Sequence, residues 1–209
     1  MNATIRWTGW GVMSFLALLM VLLASRYLTL DPTVYFPQQR AVYVAHIAGI
    51  LMHIVGGMTA LLLGPLQFVP AIRDRWPRVH RMTGRIYLAG VAVGGLGGLY
   101  MARLAYGGLP TRAGFALLAV AWLATTAMAY RRIRQGDIDR HREWMIRSYA
   151  LSFAAPVLRL EQLAFMASGT AFDSAYAAVA WLCWLPNLLA AEGYVRWTRG
   201  RTARTLATP

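Results

Sequence analysis

Apolar residues along this chain gather into six long blocks, separated by short polar stretches rich in arginine. The blocks run approximately over residues 11–28, 41–68, 86–105, 113–130, 144–167 and 175–197. A helix that crosses the hydrocarbon core of a bilayer needs about 20 apolar residues, and each block comes close to or exceeds that length. The pattern predicts an all-α polytopic membrane protein: a six-transmembrane-helix bundle forming one transmembrane domain over residues 1–209, with a basic C-terminal tail over 198–209. Val21-Leu22-Leu23-Ala24-Ser25-Arg26, at the end of the first block, offers no small-x-small cleavage pattern. The block therefore reads as an uncleaved signal anchor.

Composition supports this picture. Of 209 residues, 58% are hydrophobic and 14% are charged, against about 25% charged in an ordinary soluble domain. The formal net charge is +13, and such basicity can mark a nucleic-acid binder. Here the placement speaks against nucleic acid. Arg73, Arg75, Arg78, Arg81 and Arg85 lie between blocks two and three. Arg131, Arg132, Arg134, Arg140, Arg142 and Arg147 lie around the gap between blocks four and five, and Arg196, Arg199, Arg201 and Arg204 close the chain. The alternate gaps hold only Arg26 and Arg40, then Arg103 and Arg112, then none. This is the positive-inside bias. It predicts both termini in the cytoplasm (N-in/C-in) of a bacterial inner membrane, with the arginine loops against anionic headgroups. Trp7, Trp10, Trp76, Trp144, Trp181 and Trp197 sit near block ends, as an interfacial aromatic belt requires. The single Cys183 rules out an intrachain disulfide.

Ionisable residues inside spans are costly and point to function. At about 100° per residue, His46, His53, Gly57, Ala60, Gly64 and Gln67 share one face of span two. His80, Gly84, Val91, Gly94 and Gly98 share a face of span three once that helix is extended back to Pro77. His141, Met145, Ser148, Ser152, Arg159 and Gln162 share a face of span five. His53 and Arg159 fall at the same depth with Glu161 slightly farther out, which suggests one intramembrane polar cluster with neutralised charge. Gln67, His80, Arg81, His141, Arg142 and Glu192 suggest a second cluster at the arginine-rich surface. Gly90, Gly94 and Gly98 form a small-xxx-small series, a device for close helix approach. Pro186 with Asn187 predicts a kink in span six, and Pro65 marks the end of span two.

Three functions follow as expectations. In the first, His80 and His141 are axial ligands of a haem b between two parallel helices, with Arg81 and Arg142 paired to its propionates. A plainer reading of the same residues has the arginines reaching lipid phosphate and the histidines capping helices at the interface. In the second, His46, His53, Arg159 and Glu161 carry a proton or a transported solute. His46 and His53 stand about 10 Å apart along the axis at 1.5 Å per residue, too far to share one metal ion. In the third, the chain is an accessory subunit that binds a membrane partner through Gly90, Gly94 and Gly98.

Several motifs run in order along the chain: Ala60-Leu61-Leu62-Leu63-Gly64-Pro65-Leu66-Gln67-Phe68, His80-Arg81-x2-Gly84-Arg85-x-Tyr87, His141-Arg142-x-Trp144-Met145-x-Arg147-x-Tyr149, Leu158-Arg159, and Trp184-Leu185-Pro186-Asn187-Leu188 with Glu192. On these motifs the chain resembles the bacterial multi-pass membrane proteins filed as domain-of-unknown-function family 2306, over roughly residues 41–195. The resemblance implies a polytopic helical membrane protein and brings no particular activity with it. A looser likeness is to six-helix b-type cytochromes, which also set histidines on alternate helices. The chain departs from them in offering one bis-histidine pair and no histidine in span four.

Overall fold

The computed structural model describes residues 3–207. Residues 208 and 209 of the basic tail, and the side chains of Arg201 and Arg204, lie outside the described residues. Ten α-helices and three short 3-10 turns follow one another, with no strand among the described residues. Six stretches are long and apolar enough to cross a membrane: Trp7–Thr29, Ile47–Gln67, Pro77–Ala102, Gly108–Arg134, Ile138–Ala167 and Phe172–Gly200.

Spans three and four are each one helix, α5 (Pro77–Ala102) and α6 (Gly108–Arg134), and span one is α1 (Ala3–Ser25) continued by a 3-10 turn over Arg26–Thr29. The other three are shaped by interruptions. Span two is shorter than its apolar block, because the block divides at His46 (φ −123, ψ 41) into α2 (Arg40–Ala45) and α3 (Ile47–Gln67). Pro65 lies inside the last turn of α3, two residues before its end. A short helix α4 (Pro70–Arg75) then leads into α5, whose first residue is Pro77, where a missing N–H costs nothing.

Span five divides at Phe153 into α7 (Ile138–Ser152) and α8 (Ala154–Ala167). Pro156 is the reason: it cannot donate to the carbonyl four residues back, at Ser152, and its ring crowds that carbonyl. Span six divides into α9 (Phe172–Leu182) and α10 (Leu185–Ala207) just ahead of Pro186. The side-chain amide of Asn187 donates to the Cys183 carbonyl at 2.9 Å, which satisfies one of the acceptors exposed at the break.

The tightest packing is between α3 and α5. Gly56 lies directly against Gly90 and Gly94, and a Cβ added at Gly94 would stand 3.0 Å from the Gly56 carbonyl carbon. A Cβ at Gly97 would stand 2.6 Å from the His53 backbone nitrogen, and one at Gly98 2.7 Å from the His53 ring. The glycine face expected to bind a partner is therefore filled from within by α3, which corrects that expectation. At the arginine-rich end α10 is tied to α7. Arg147 donates from Nε (2.9 Å) and Nη2 (2.6 Å) to one oxygen of Glu192, Arg196 takes the other oxygen at 2.8 Å, and Arg199 pairs with Glu143.

Candidate functional site

A cavity of about 250 Å³ opens between α1, α3, α5, α6, α8 and α9. Its α5 wall begins at Gly94 and runs toward Ala102, so it occupies the half of the bundle away from the arginine loops. The α3 wall is one face: Ile50, His53, Ile54, Gly57 and Leu61, at spacings of three and four. Opposite stand Gly94, Gly95 and Gly98 of α5, each packed so closely on its neighbours that a Cβ would clash. Trp122 and Ser152 lie deeper. The segment between α1 and α3 folds over the top and contributes Tyr27, Phe36, Gln39 and Tyr43.

That covering segment is held by aromatic packing. Tyr27 stacks on Tyr35 at 5.4 Å, and Phe36 stacks on Tyr176 at 5.6 Å. Gln39 is buried and donates to the Leu104 carbonyl at 3.2 Å, which fixes the segment to the end of α5. Burial pushes the Tyr43 phenol well above its ordinary range, so it remains a neutral hydrogen-bonding group at the cavity wall. Nearby, Tyr106 donates to Asp173 at 2.8 Å, and the carboxylate raises the pKa of that phenol.

α8 supplies the charge. Arg159 and Gln162 are three residues apart and therefore on one face, and both line the cavity. The guanidinium donates from Nη1 to Gln162 Oε1 at 2.8 Å, and among the described residues no carboxylate pairs with it. His53 Nδ1 is 3.0 Å from the Gly94 carbonyl. A carbonyl only accepts, so Nδ1 carries the proton and Nε2 keeps its lone pair.

The structure thus brings His53, Arg159 and Gln162 to one cavity and separates them from two expected companions. Glu161 does not line it, because two residues on from Arg159 is about 200° around the helix. One oxygen of Glu161 is buried without a hydrogen bond among the described residues. The expectation of a neutralised His53–Arg159–Glu161 cluster is corrected accordingly. His46 also departs from the His53 stripe, because the helix breaks there. Its Nδ1 instead meets the Tyr100 hydroxyl at 2.8 Å, under the guanidinium of Arg103, which sits 4.7 Å from the Tyr100 ring centroid.

The arginine-rich end holds the other expected residues. His141 Nδ1 lies 2.9 Å from the Ala129 carbonyl, to which it donates its N–H. His80 Nδ1 is buried without a partner among the described residues, and His80 is near enough to His141 for their charges to interact. Gln67 donates to Thr83 Oγ1 at 2.8 Å, one turn from His80. Arg81 and Arg142 are exposed. Glu192 belongs with Arg147 and Arg196 rather than with the histidines, because it lies on the face of α10 turned to α7.

Between the two regions lies a hydroxyl network that the stripes contained only in part. The Tyr87 hydroxyl sits 2.7 Å from Ser148 Oγ and 3.1 Å from Ser152 Oγ. Trp122 Nε1 donates to Ser152 Oγ at 2.8 Å, and Ser148 Oγ meets Thr126 Oγ1 at 2.7 Å. Thr126 Oγ1 donates to the Trp122 carbonyl at 2.8 Å, and Ser152 Oγ to the Ser148 carbonyl at 3.1 Å. Every donor has an acceptor, which is the condition for a buried polar group to stabilise rather than cost. Tyr87 was within reach of the sequence: it lies in the same three-and-four spacing as His80, Gly84, Val91 and Gly94.

No curated protein and no solved structure matches the chain. The likeness to six-helix b-type cytochromes therefore rests on histidine placement alone. A family model described as "Predicted membrane protein (DUF2306)" matches residues 50–195, a stretch that takes in α5 to α9, nearly all of α3 and the first half of α10. On that match, and with six apolar helices to carry it, the chain belongs to the DUF2306 family of predicted membrane proteins.

Proposed function

We propose that this protein admits a small solute into the cavity beneath the segment between α1 and α3, as the binding step of transport across a bacterial inner membrane. The observation that carries the proposal is Arg159, a cation inside a span, on the wall of a cavity, with only a neutral amide as its partner. An arginine at the centre of a spanning helix costs about 2.5–3.5 kcal/mol by insertion scales, which a structural arginine offsets by pairing with an acid or with backbone carbonyls; among the described residues Arg159 makes neither contact. In this reading the arginine-rich end faces the cytoplasm and its anionic headgroups, and the cavity faces outward.

Gly57 gives the test. It lines the cavity, and a Cβ added there meets nothing within 4 Å. In a Cys183→Ser background, Gly57→Cys is expected to react with a membrane-impermeant maleimide added outside intact cells. Gly136→Cys, in the arginine-rich turn between α6 and α7, is expected to react only after permeabilisation. A Gly57→Cys thiol as inert as a lipid-facing Leu163→Cys would end the proposal.

A second reading is favoured by His141, whose Nδ1–H is engaged by a backbone carbonyl as in many ligating histidines. Here His80 and His141 would hold a haem b through their ring nitrogens, with the exposed Arg81 and Arg142 beside its propionates. The absorbance spectrum of protein purified from a haem-replete host decides it: a Soret band lost in His141→Ala supports haem, and a colourless protein removes it.

A further inference from the structure

The cavity proposed above has a chemistry narrow enough to name its ligand class. Arg159 is its one fully charged lining residue, and no acid lines it among the described residues. Gln162 spends its oxygen on Arg159, which leaves its Nε2 amide as a free donor beside the guanidinium. Tyr43 adds a neutral phenol within reach of the Arg159 charge, so the two share one end of the space. The remaining wall is mostly apolar, with Ile50 and Trp122 among its members, and its other polar groups include His53, Gln39 and Ser152.

A fork of guanidinium donors flanked by an amide donor complements a carboxylate, which accepts two parallel bonds. A phosphate monoester would bring close to two negative charges to a site with one cation. Size narrows the choice again. About 250 Å³ is below the roughly 300–1,000 Å³ of sites for drug-sized ligands, too small for a phospholipid. We infer that the cavity takes a small organic monocarboxylate of about the size of benzoate, its carboxylate on Arg159 and Gln162 and its apolar body against Ile50 and Trp122. The inference rests on the uptake reading and specifies its solute.

The test uses full-length protein carrying Cys183→Ser and Gly57→Cys in proteoliposomes. Labelling rates are measured with two methanethiosulfonates of similar size, one bearing a sulfonate and one a trimethylammonium group, each normalised to its rate with a free thiol. A unit positive charge within about 10 Å at an effective dielectric near 20 attracts the anion and repels the cation, which favours the anion by roughly a hundredfold or more. That preference is expected in the parent, retained in Arg159→Lys and lost in Arg159→Gln. Benzoate is expected to slow labelling, and benzylamine to leave it unchanged. Labelling without charge preference, or a preference that survives Arg159→Gln, overturns the carboxylate site and leaves uptake standing. No labelling by either reagent overturns both.

Discussion

Tyr87, Trp122, Thr126, Ser148 and Ser152 show how this bundle settles polar groups away from water. Three side chains from two helices converge on two serines of a third, and each hydroxyl proton ends on another hydroxyl or a backbone carbonyl. Inter-helix hydrogen bonds in membrane proteins average about 0.6 kcal/mol and reach about 1.7. Tyr87→Phe removes the hydroxyl that links both serines, so it is expected to destabilise the protein by about 1 kcal/mol. Reversible unfolding in mixed micelles measures the loss, and a Tyr87→Phe protein as stable as the parent would show the network to be incidental. At this scale the sequence was partly readable. Ser148 and Ser152 stand out in an apolar helix, whereas Tyr87 and Trp122 look like ordinary aromatic residues until a partner appears across the interface.

At the scale of elements, α3 and α5 meet through glycines, and two neighbours on α3 separate packing from open space. Gly56 is pressed against the α5 backbone, whereas a Cβ at Gly57 meets nothing within 4 Å. Gly56→Leu must push the helices apart, at a cost of about 1–3 kcal/mol or more for overpacking. Gly57→Ala is expected to fold like the parent. Comparing the two in thermal unfolding checks the helix contact, and equal behaviour would contradict it. The contact was legible as a glycine series on α5, but its partner was not: one helix's pattern says that something approaches closely without saying what. Proline-marked interruptions were legible in the same sense at Pro186. The break at His46 was not. Neither proline nor glycine stands at that position, and it is the fold of the covering segment, anchored by Gln39 and its aromatic stack, that turns the chain there.

Over the whole molecule, the six-span architecture was the most readable feature, because apolar length and the alternation of arginine loops depend on the bilayer more than on any particular contact. The candidate site was less so. Counting along the helices put His53 level with Arg159, and periodicity put Gln162 on the face of Arg159, yet neither could see that Glu161 turns away or that the chain between α1 and α3 folds over to contribute Tyr43. Those outcomes depend on helix rotation and on a connecting segment with no periodic pattern. What emerges is a bundle with a cationic, ion-paired base and an opposite half that holds a mostly apolar cavity around one arginine, with no acid in its wall among the described residues. The most direct measurement is equilibrium dialysis of radiolabelled benzoate against the purified protein in nanodiscs, with Arg159→Gln alongside. Saturable binding near one benzoate per protein, weakened roughly tenfold or more when the guanidinium is lost, is the expected result; the same weak, non-saturating uptake by both proteins would contradict it.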